Sequence, residues 1–327
     1  MRVLILSPID TGGQGYRIAK GFERYTDWTV DTINAAPSTL GYPEQHGLRP
    51  TERRALMKRL YPQADVVHYR NSLVLRRQFP DDGKPAILHH HGTHFRTNHG
   101  AVAKQARTLG IVQIASTLDL AILEPDVEWL PSPYRLDELV RDPQSQDVIR
   151  IAHFPTDAVK KSSARFMAAV ENLSQRHPIE VMTNLQRGRA VHTQWSDIMA
   201  AKAQADIYFD QVILGYGNNS IESMGMGIPT IAGVADPSVR AEMIRRFGTL
   251  PFMEATEGTI EQALEALIVS PDLRAEYAEK GRAHVERFHD DAKVVAQLQD
   301  IYRAAPPSRK ATPYASPGWR ERNGRAA

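Results

Sequence analysis

The sequence predicts an α/β protein of two successive domains, each a mostly parallel sheet with helices on both faces. Three observations lead there. The chain has 327 residues, and domains usually take about 100–200. Short apolar runs alternate with segments of helical spacing along most of its length. Pro131-Ser132-Pro133 and the polar, turn-like residues 141–147 interrupt that alternation, and a second series then begins.

The first series opens with Val3, Leu4, Ile5 and Leu6, a continuous apolar run that reads as a buried strand. Residues 11–15, Thr-Gly-Gly-Gln-Gly, form a glycine-rich loop, and residues 17–25 carry Ile18, Phe22 and Tyr25 at helical spacing. Strands are expected over 28–33, 65–70, 86–91, 110–115 and 128–130, with helices over 53–60 and 100–109. In the second series, strands are expected over 148–153, 179–183, 206–209 and 229–232. Helices are expected over 163–173, 195–203, 221–226, 239–247 and 259–269. A long helical stretch runs over 271–303, with possible breaks near Gly281 and His289.

Composition narrows the chemistry. Lys and Arg number 40 against 38 Asp and Glu, so the net charge of +2 lacks the basic excess of a general polyanion binder. There is no cysteine, which excludes disulfides, thiolate catalysis and Cys-ligated metals. No run of 18 apolar residues occurs, and the N-terminal stretch MRVLILSPID turns polar after six residues. Neither a membrane span nor a signal peptide is therefore expected, and a cytoplasmic location is. Two basic patches remain. Residues 49–59 hold Arg49, Arg53, Arg54, Lys58 and Arg59 against Glu52, which reads as a solvated helix face or a contact for an anionic acceptor. Residues 304–327 are Pro-rich and nearly free of aliphatics, and are expected to be a disordered or loosely docked tail.

The most informative segment runs from Gly215 to Thr230, GYGNNSIESMGMGIPT. It reads as a loop, a short helix and a strand entry. Gly215 and Gly217 let a ligand approach the backbone closely. Asn218, Asn219 and Ser220 stand at the helix start, where free N–H groups and the positive dipole end suit a diphosphate. Glu222 in the first turn can accept two hydrogen bonds from a vicinal diol such as a ribose, or it can simply complement the helix dipole.

This segment resembles the signature of the retaining GT-B glycosyltransferases, the large group 1 family related to glycogen and sucrose synthases. That family typically reads Glu-Gly-Phe-Gly, four residues, then Glu-Ala-Met-Ala-x-Gly-x-Pro-Val-Ile. The second half is matched by IESMGMGIPTIAG, so Glu222 falls on the residue that holds the nucleotide ribose. The family's first Glu, a donor-sugar contact, falls on Leu214, and Asp210 just upstream is a substitute candidate. Other stretches agree in order. Residues 87–96 resemble the strand ending in His-Gly, which assigns His91 to the donor sugar. Residues 11–15 resemble the glycine loop facing the donor phosphates, which assigns Gly12 and Gly13. Residues 150–161 resemble the loop that supplies cations to the diphosphate, which assigns Lys161, with Lys160 as the alternative. Residues 127–134 and 114–120 resemble the domain crossover and the strand before it.

The resemblance implies a GT-B fold of two facing Rossmann-like domains. It places an acceptor domain over residues 1–133, a nucleotide-sugar domain over 148–285 and a helix over 286–303 that crosses back to the first domain. The implied catalytic residues are His91, Lys161 and Asp210. Gly12, Gly13, Lys160, Gly217, Asn218, Asn219, Ser220 and Glu222 would bind the donor. It implies transfer of a sugar from a nucleoside-diphosphate sugar to an acceptor hydroxyl, with retention, no cofactor and no metal. The absence of any Asp-x-Asp pair agrees with that. The acceptor is open among lipid, glycan, small molecule, protein and modified DNA base. Zinc on His89, His91, His94 and His99 is a weaker reading, since no HExxH occurs. The alternatives are a catalytically weak GT-B protein that binds nucleotide or glycan as a partner subunit, and a nucleotide-sugar epimerase. A dinucleotide dehydrogenase is disfavoured, because residues 12–15 do not fit G-x-G-x-x-G.

Overall fold

The computed structural model describes residues 1–309 except Thr11, Thr39, residues 44–45 and 47–48, Asp81 and residues 144–146. The chain runs β1 (Arg2–Ser7), α1 (Gln14–Tyr25), β2 (Thr29–Asn34), α2 (Pro50–Leu60), β3 (Val66–Arg70), β4 (Ala86–His90), α3 (Gly92–Thr108), β5 (Val112–Ala115), α4 (Leu118–Ala121) and β6 (Val127–Trp129). It continues with β7 (Ile149–His153), α5 (Ser163–Ser174), β8 (Ile179–Thr183), β9 (Leu185–Gln186), β10 (Arg189–Ala190), α6 (Trp195–Ala203), β11 (Ile207–Phe209), β12 (Leu214–Gly215), α7 (Asn218–Gly225) and β13 (Thr230–Val234). It ends with α8 (Pro237–Phe247), β14 (Met253–Glu254), α9 (Ile260–Val269), α10 (Pro271–Phe288) and α11 (Asp291–Ala304).

The first sheet is parallel throughout, in the order β2-β1-β3-β4-β5-β6. The apolar run of β1 serves both faces, as a strand buried on two sides must. Val3 and Ile5 join the core beneath α1, while Leu4 and Leu6 join the core beneath α2. The second sheet runs β12-β13-β11-β7-β8, with β14 on β13 and with β12 antiparallel to β13. Its strands divide in the same way: Ile207 and Phe209 pack on one face and Tyr208 on the other.

Each sheet has one point where strand order reverses, between β1 and β3 in the first and between β7 and β11 in the second. Ligands of open α/β sheets bind beyond the carboxyl ends of strands at such switch points. The ends of these strands and the loops that leave them carry residues 8–10, Gly12, Gly13, Arg70, residues 154–161 and Asp210.

The two crossings between domains lie side by side. The Tyr134 N–H donates to the His289 carbonyl at 2.7 Å, and the Asp291 N–H donates to the Tyr134 carbonyl at 3.0 Å. The long C-terminal helical stretch breaks at His289, where Asp290 caps the next helix, and not at Gly281. Gly281 is buried against α7, where a Cβ would lie 2.9 Å from Met224 Cγ. Helix α11, beginning at Asp291, packs Val294, Val295, Leu298 and Tyr302 into the core of the first sheet.

Three expectations need correction, and one is narrowed. Residues 304–309 take the docked alternative: Ser308 and Arg309 make backbone bonds to Gly83 and Leu109, and Ala305 is buried. The rest of the tail lies outside the described residues. Helix α3 starts at Gly92, whose positive φ turns the chain straight out of β4, and kinks at Asn98, so the helix expected over 100–109 is only its second part. Arg53 is not on a solvated face; it is buried, and its Nη1 reaches the Asn34 carbonyl at 3.3 Å. Tyr25 does not join the apolar stripe of α1; it is half-exposed and its hydroxyl donates to Asp291 Oδ1.

Gly233 on β13 is a site of tight backbone approach. A Cβ there would clash with the Ala255 carbonyl oxygen and stand 2.8 Å from Val212 Cα. Both are main-chain atoms that cannot rotate away, so Gly233→Ala is expected to destabilise the fold by about 1–3 kcal/mol. Urea denaturation checks this, and an unchanged midpoint would contradict it.

Candidate active site

The first domain's half of the site is built on Asp10. Gly13 at the head of α1 has no side chain to cap the helix, and Asp10 does so instead. Its carboxylate accepts from the Gln14 and Gly15 N–H groups at 3.1 and 2.8 Å. Arg70, at the end of β3, meets Asp10 at 2.6 Å, and both side chains are at most 4% exposed. Burial alone would raise the Asp10 carboxyl, but Arg70 outweighs it and holds the group below its usual range.

Arg70 Nε also approaches His91 Nε2 at 3.4 Å, while His91 Nδ1 lies 2.9 Å from Ser116 Oγ. Nε2 thus accepts and Nδ1–H donates. Burial, then the Arg70 charge, push the His91 imidazole well below its ordinary value. It is a neutral hydrogen-bonding group, not an imidazolium.

The second half stands at the other switch point. Asp210 follows β11 and is buried, with Oδ1 2.5 Å from Lys161 Nζ and Oδ2 accepting from Ser220 Oγ at 2.6 Å. The Gly217 N–H also points at Oδ2, at 3.4 Å. Burial works against the charged form of Asp210, yet Lys161 and Ser220 keep its carboxyl below the ordinary value. Asp210 therefore has its oxygens turned to Lys161 and to the head of α7. It orients the lysine and caps the helix. Lys161 keeps about a fifth of its side chain exposed. Lys160 is exposed and pairs with Asp157, away from these groups.

Glu222 is 1% exposed and fully engaged. Oε2 is 2.5 Å from Lys202 Nζ, and Oε1 accepts from Trp195 Nε1 at 3.1 Å and from the Tyr134 hydroxyl at 3.4 Å. Lys202 is wholly buried; burial pushes its ammonium below the ordinary value, opposed by Glu222. The same Nζ donates to Asn219 Oδ1 at 2.7 Å, and Asn219 Nδ2 donates to the Phe154 carbonyl at 3.0 Å. The side chains of Asn219 and Ser220 are thus committed within the domain.

The two halves meet. A Cβ on Gly12 would lie 2.9 Å from Asn218 Nδ2 at the head of α7. The glycine loop and the helix N-terminus therefore face each other in near contact. Tyr42 closes the space beside Gly13, whose Cβ would lie 2.5 Å from Tyr42 Cδ1. Its ring packs 5.4 Å from Trp195, and the Trp195 N–H donates to the Leu40 carbonyl at 3.0 Å across the domains. Two cavities remain between the domains, of about 230 and about 460 Å³, and Tyr42 and Trp195 line both. The smaller is bounded by residues 154–156, Asn184, His192 and Asn219.

The structure thus brings Gly12, Gly13, His91, Lys161, Asp210, Gly217, Asn218, Asn219, Ser220 and Glu222 to the ends of the strands at the cleft, and leaves Lys160 outside. Sequence reasoning missed Asp10, Tyr42, Arg70, Trp195 and Lys202. Leu214 sits on the edge strand β12, 36% exposed. Among the described residues no three His, Asp or Glu side chains gather as a metal site; His99 instead meets Glu124 at 2.7 Å. No described helix is long and apolar enough to cross a membrane.

No family model matches the chain, and no curated protein matches it in sequence. Solved structures do. A glycosyltransferase from Rickettsia africae is similar over 92% of this chain and 98% of its own, with 12% identity and a TM-score of 0.60. Anabaena HepE, solved in complex with UDP and glucose, is similar over 93% of this chain and all of its own, with 13% identity and a TM-score of 0.61. Sucrose-phosphate synthase from Thermosynechococcus elongatus covers 93% of this chain and 98% of its own, with 12% identity and a TM-score of 0.58. At such identities the likeness is one of fold, and the fold of this chain is the GT-B architecture of two facing Rossmann-like domains.

Proposed function

We propose that the chain is a glycosyltransferase that moves a sugar from a nucleoside-diphosphate donor to an acceptor hydroxyl, with retention and without metal. One observation carries the reading. The Lys161 cation, set by a buried carboxylate, stands at the head of α7, directly across the cleft from the glycine loop of the other domain. Breaking a sugar–diphosphate bond leaves charge on the departing phosphate. A preorganised cation and a helix N-terminus stabilise that charge at the moment it appears. The solved UDP complexes of HepE support uridine nucleotides as the first donors to test.

The step is a substitution at the anomeric carbon. Its bond to the phosphate oxygen breaks, a bond to the acceptor oxygen forms, and the acceptor proton passes to a phosphate oxygen. Asp10, Asp210 and Glu222 are each buried and held by a cation, so none is placed as a nucleophile. With no nucleophile for a double displacement, retention requires attack from the leaving-group side. Neutral His91 keeps its Nδ1–H on Ser116 and offers the sugar only Nε2, as an acceptor in place of Arg70, not a proton. In this scheme the ribose hydroxyls replace Trp195 Nε1 on Glu222, and Tyr42 moves aside from Gly13.

A second reading, a nucleotide- or glycan-binding partner with little turnover, is favoured by Leu214 at the edge of the sheet and by Asp210 facing Lys161. UDP release from UDP-glucose without acceptor separates the two. We expect slow hydrolysis that falls at least tenfold in Lys161→Met. Wild-type hydrolysis no faster than Lys161→Met, with UDP still bound, would favour the partner reading.

A further inference from the structure

The larger cavity lies outside the diphosphate cleft. Its walls are Tyr16 and Arg17 of α1, Tyr42, Tyr134 of the crossover, and Trp195 and Met199 of α6. At about 460 Å³ it falls in the range of small-molecule sites, about 300–1,000 Å³. Four aromatic side chains line it, and the Arg17 guanidinium is set between two of them. Arg17 Cζ lies 4.2 Å from the centre of the Tyr134 ring and 5.5 Å from that of Tyr42.

The charge balance of the lining is uneven. Lys20 pairs with Glu23 at 2.7 Å, Arg24 pairs with Asp291, and Arg135 pairs with Glu138 at 3.1 Å. Arg17 hydrogen-bonds only to neutral groups, its Nη2 donating to the Gly12 carbonyl at 2.6 Å and to the Tyr134 hydroxyl at 3.0 Å, while the Glu222 and Asp10 carboxylates act on its charge from farther off. Its Nε is buried without a hydrogen-bond partner among the described residues. Arg17 is therefore the lining cation whose charge no carboxylate meets directly. Such a guanidinium favours a planar anion, carboxylate or phosphate.

We propose that this cavity is a second ligand site, for a sugar ring that carries one anionic group. The aromatic faces cover the apolar face of the ring, and Arg17 takes the anion. The paired residues Lys20, Glu23 and Arg135 at the rim offer both donors and acceptors to the ring hydroxyls; a flat aromatic acid would use the rings and Arg17 but not the rim. Tyr42 and Trp195 are shared with the smaller cavity, and Tyr134 reaches Glu222. A ligand seated here therefore touches the wall of the diphosphate cleft. The site does not depend on the donor reading, and a parallel UDP titration reports on that cleft separately.

The test is calorimetric titration of the full chain with glucuronate, glucose 6-phosphate, glucose and benzoate. Glucuronate and glucose 6-phosphate distinguish a carboxylate source of the anion from a phosphate one, and the tighter of the two should bind at least tenfold better than glucose or benzoate. Met199→Trp, which fills the cavity and leaves Arg17 in place, should weaken that binding at least tenfold without changing UDP affinity. Arg17→Gln should erase the preference over glucose. Equal affinity for glucose, benzoate binding as tightly as either sugar anion, or unchanged binding in Met199→Trp would overturn the site.

Discussion

Lys202→Met is expected to lower the unfolding midpoint by about 10 °C. Lys202 and Glu222 are both buried and 2.5 Å apart. Removing one partner of such a pair strands the other charge, at a cost of about 3–5 kcal/mol. In a domain of roughly 150–250 residues each kcal/mol moves the midpoint by roughly 2–4 °C. The neutral donors that remain on Glu222, Trp195 Nε1 and the Tyr134 hydroxyl, soften the loss but supply no charge. The double variant Lys202→Met/Glu222→Leu removes both charges and should regain most of the stability, since an apolar replacement of a buried pair is often neutral. Differential scanning calorimetry of the three proteins decides it. A single-variant shift under about 2 °C, or a double variant no better than the single, would show that the pair is not the buried unit described above.

Acidification is expected to unfold the protein between pH 6.5 and 4. Seven histidines are held below their ordinary value of 6.5, with burial the first cause for each. His90, His153 and His289 are lowered to about 4, and His68 to about 3. Their partners are neutral: His68 meets the Tyr302 hydroxyl, His153 the Phe209 carbonyl and Ser163, and His289 the Ser132 carbonyl. The sign follows from linkage. The unfolded chain binds these protons near pH 6.5 and the folded chain only near 4, so stability is full above 6.5 and falls as pH falls through that window. One pKa unit is worth about 1.4 kcal/mol, so each of the three at about 4 contributes on the order of 3 kcal/mol. A few such groups equal the whole stability of an ordinary domain, about 5–15 kcal/mol. Asp10 and Asp210, held low, add a further loss at still lower pH. Midpoints across pH 7.5 to 4.5 should fall steeply, with proton uptake on unfolding. A flat profile would contradict the buried neutral histidines.

Much of the fold is legible in the residue pattern, because a strand buried on both faces must be a short apolar run and a covering helix must carry a periodic apolar face. Val3–Leu6 and the Phe166, Val170 and Leu173 stripe are of that kind. The small elements β9, β10, β12 and β14 are not, since two-residue strands carry no period. In the site, the glycine loop and the segment around Glu222 stand out because they are loops of special composition joined to a helix start. Lys202 does not stand out. In sequence it is one more lysine near a helix end, and only the packing of α6 on α7 turns it inward. Arg70 looks like the polar end of a strand until the switch point sets Asp10 beside it. Asp210 is legible as a residue near the site, but its direction is not, because that depends on Lys161 arriving from the β7 loop. Tyr42 lies in an irregular stretch with no periodicity to mark it.

The central claim is that the cleft between Lys161 and the glycine loop takes a nucleoside diphosphate. The most direct measurement is a thermal-shift panel of UDP, GDP, TDP and ADP on the wild-type chain and on Lys161→Met. A ligand at 100 times its dissociation constant adds about 2.7 kcal/mol, which should raise the midpoint by several degrees. The account predicts such a rise with one of the four, UDP first, and most of it lost in Lys161→Met. No rise with any of them, or an equal rise in both proteins, would contradict it.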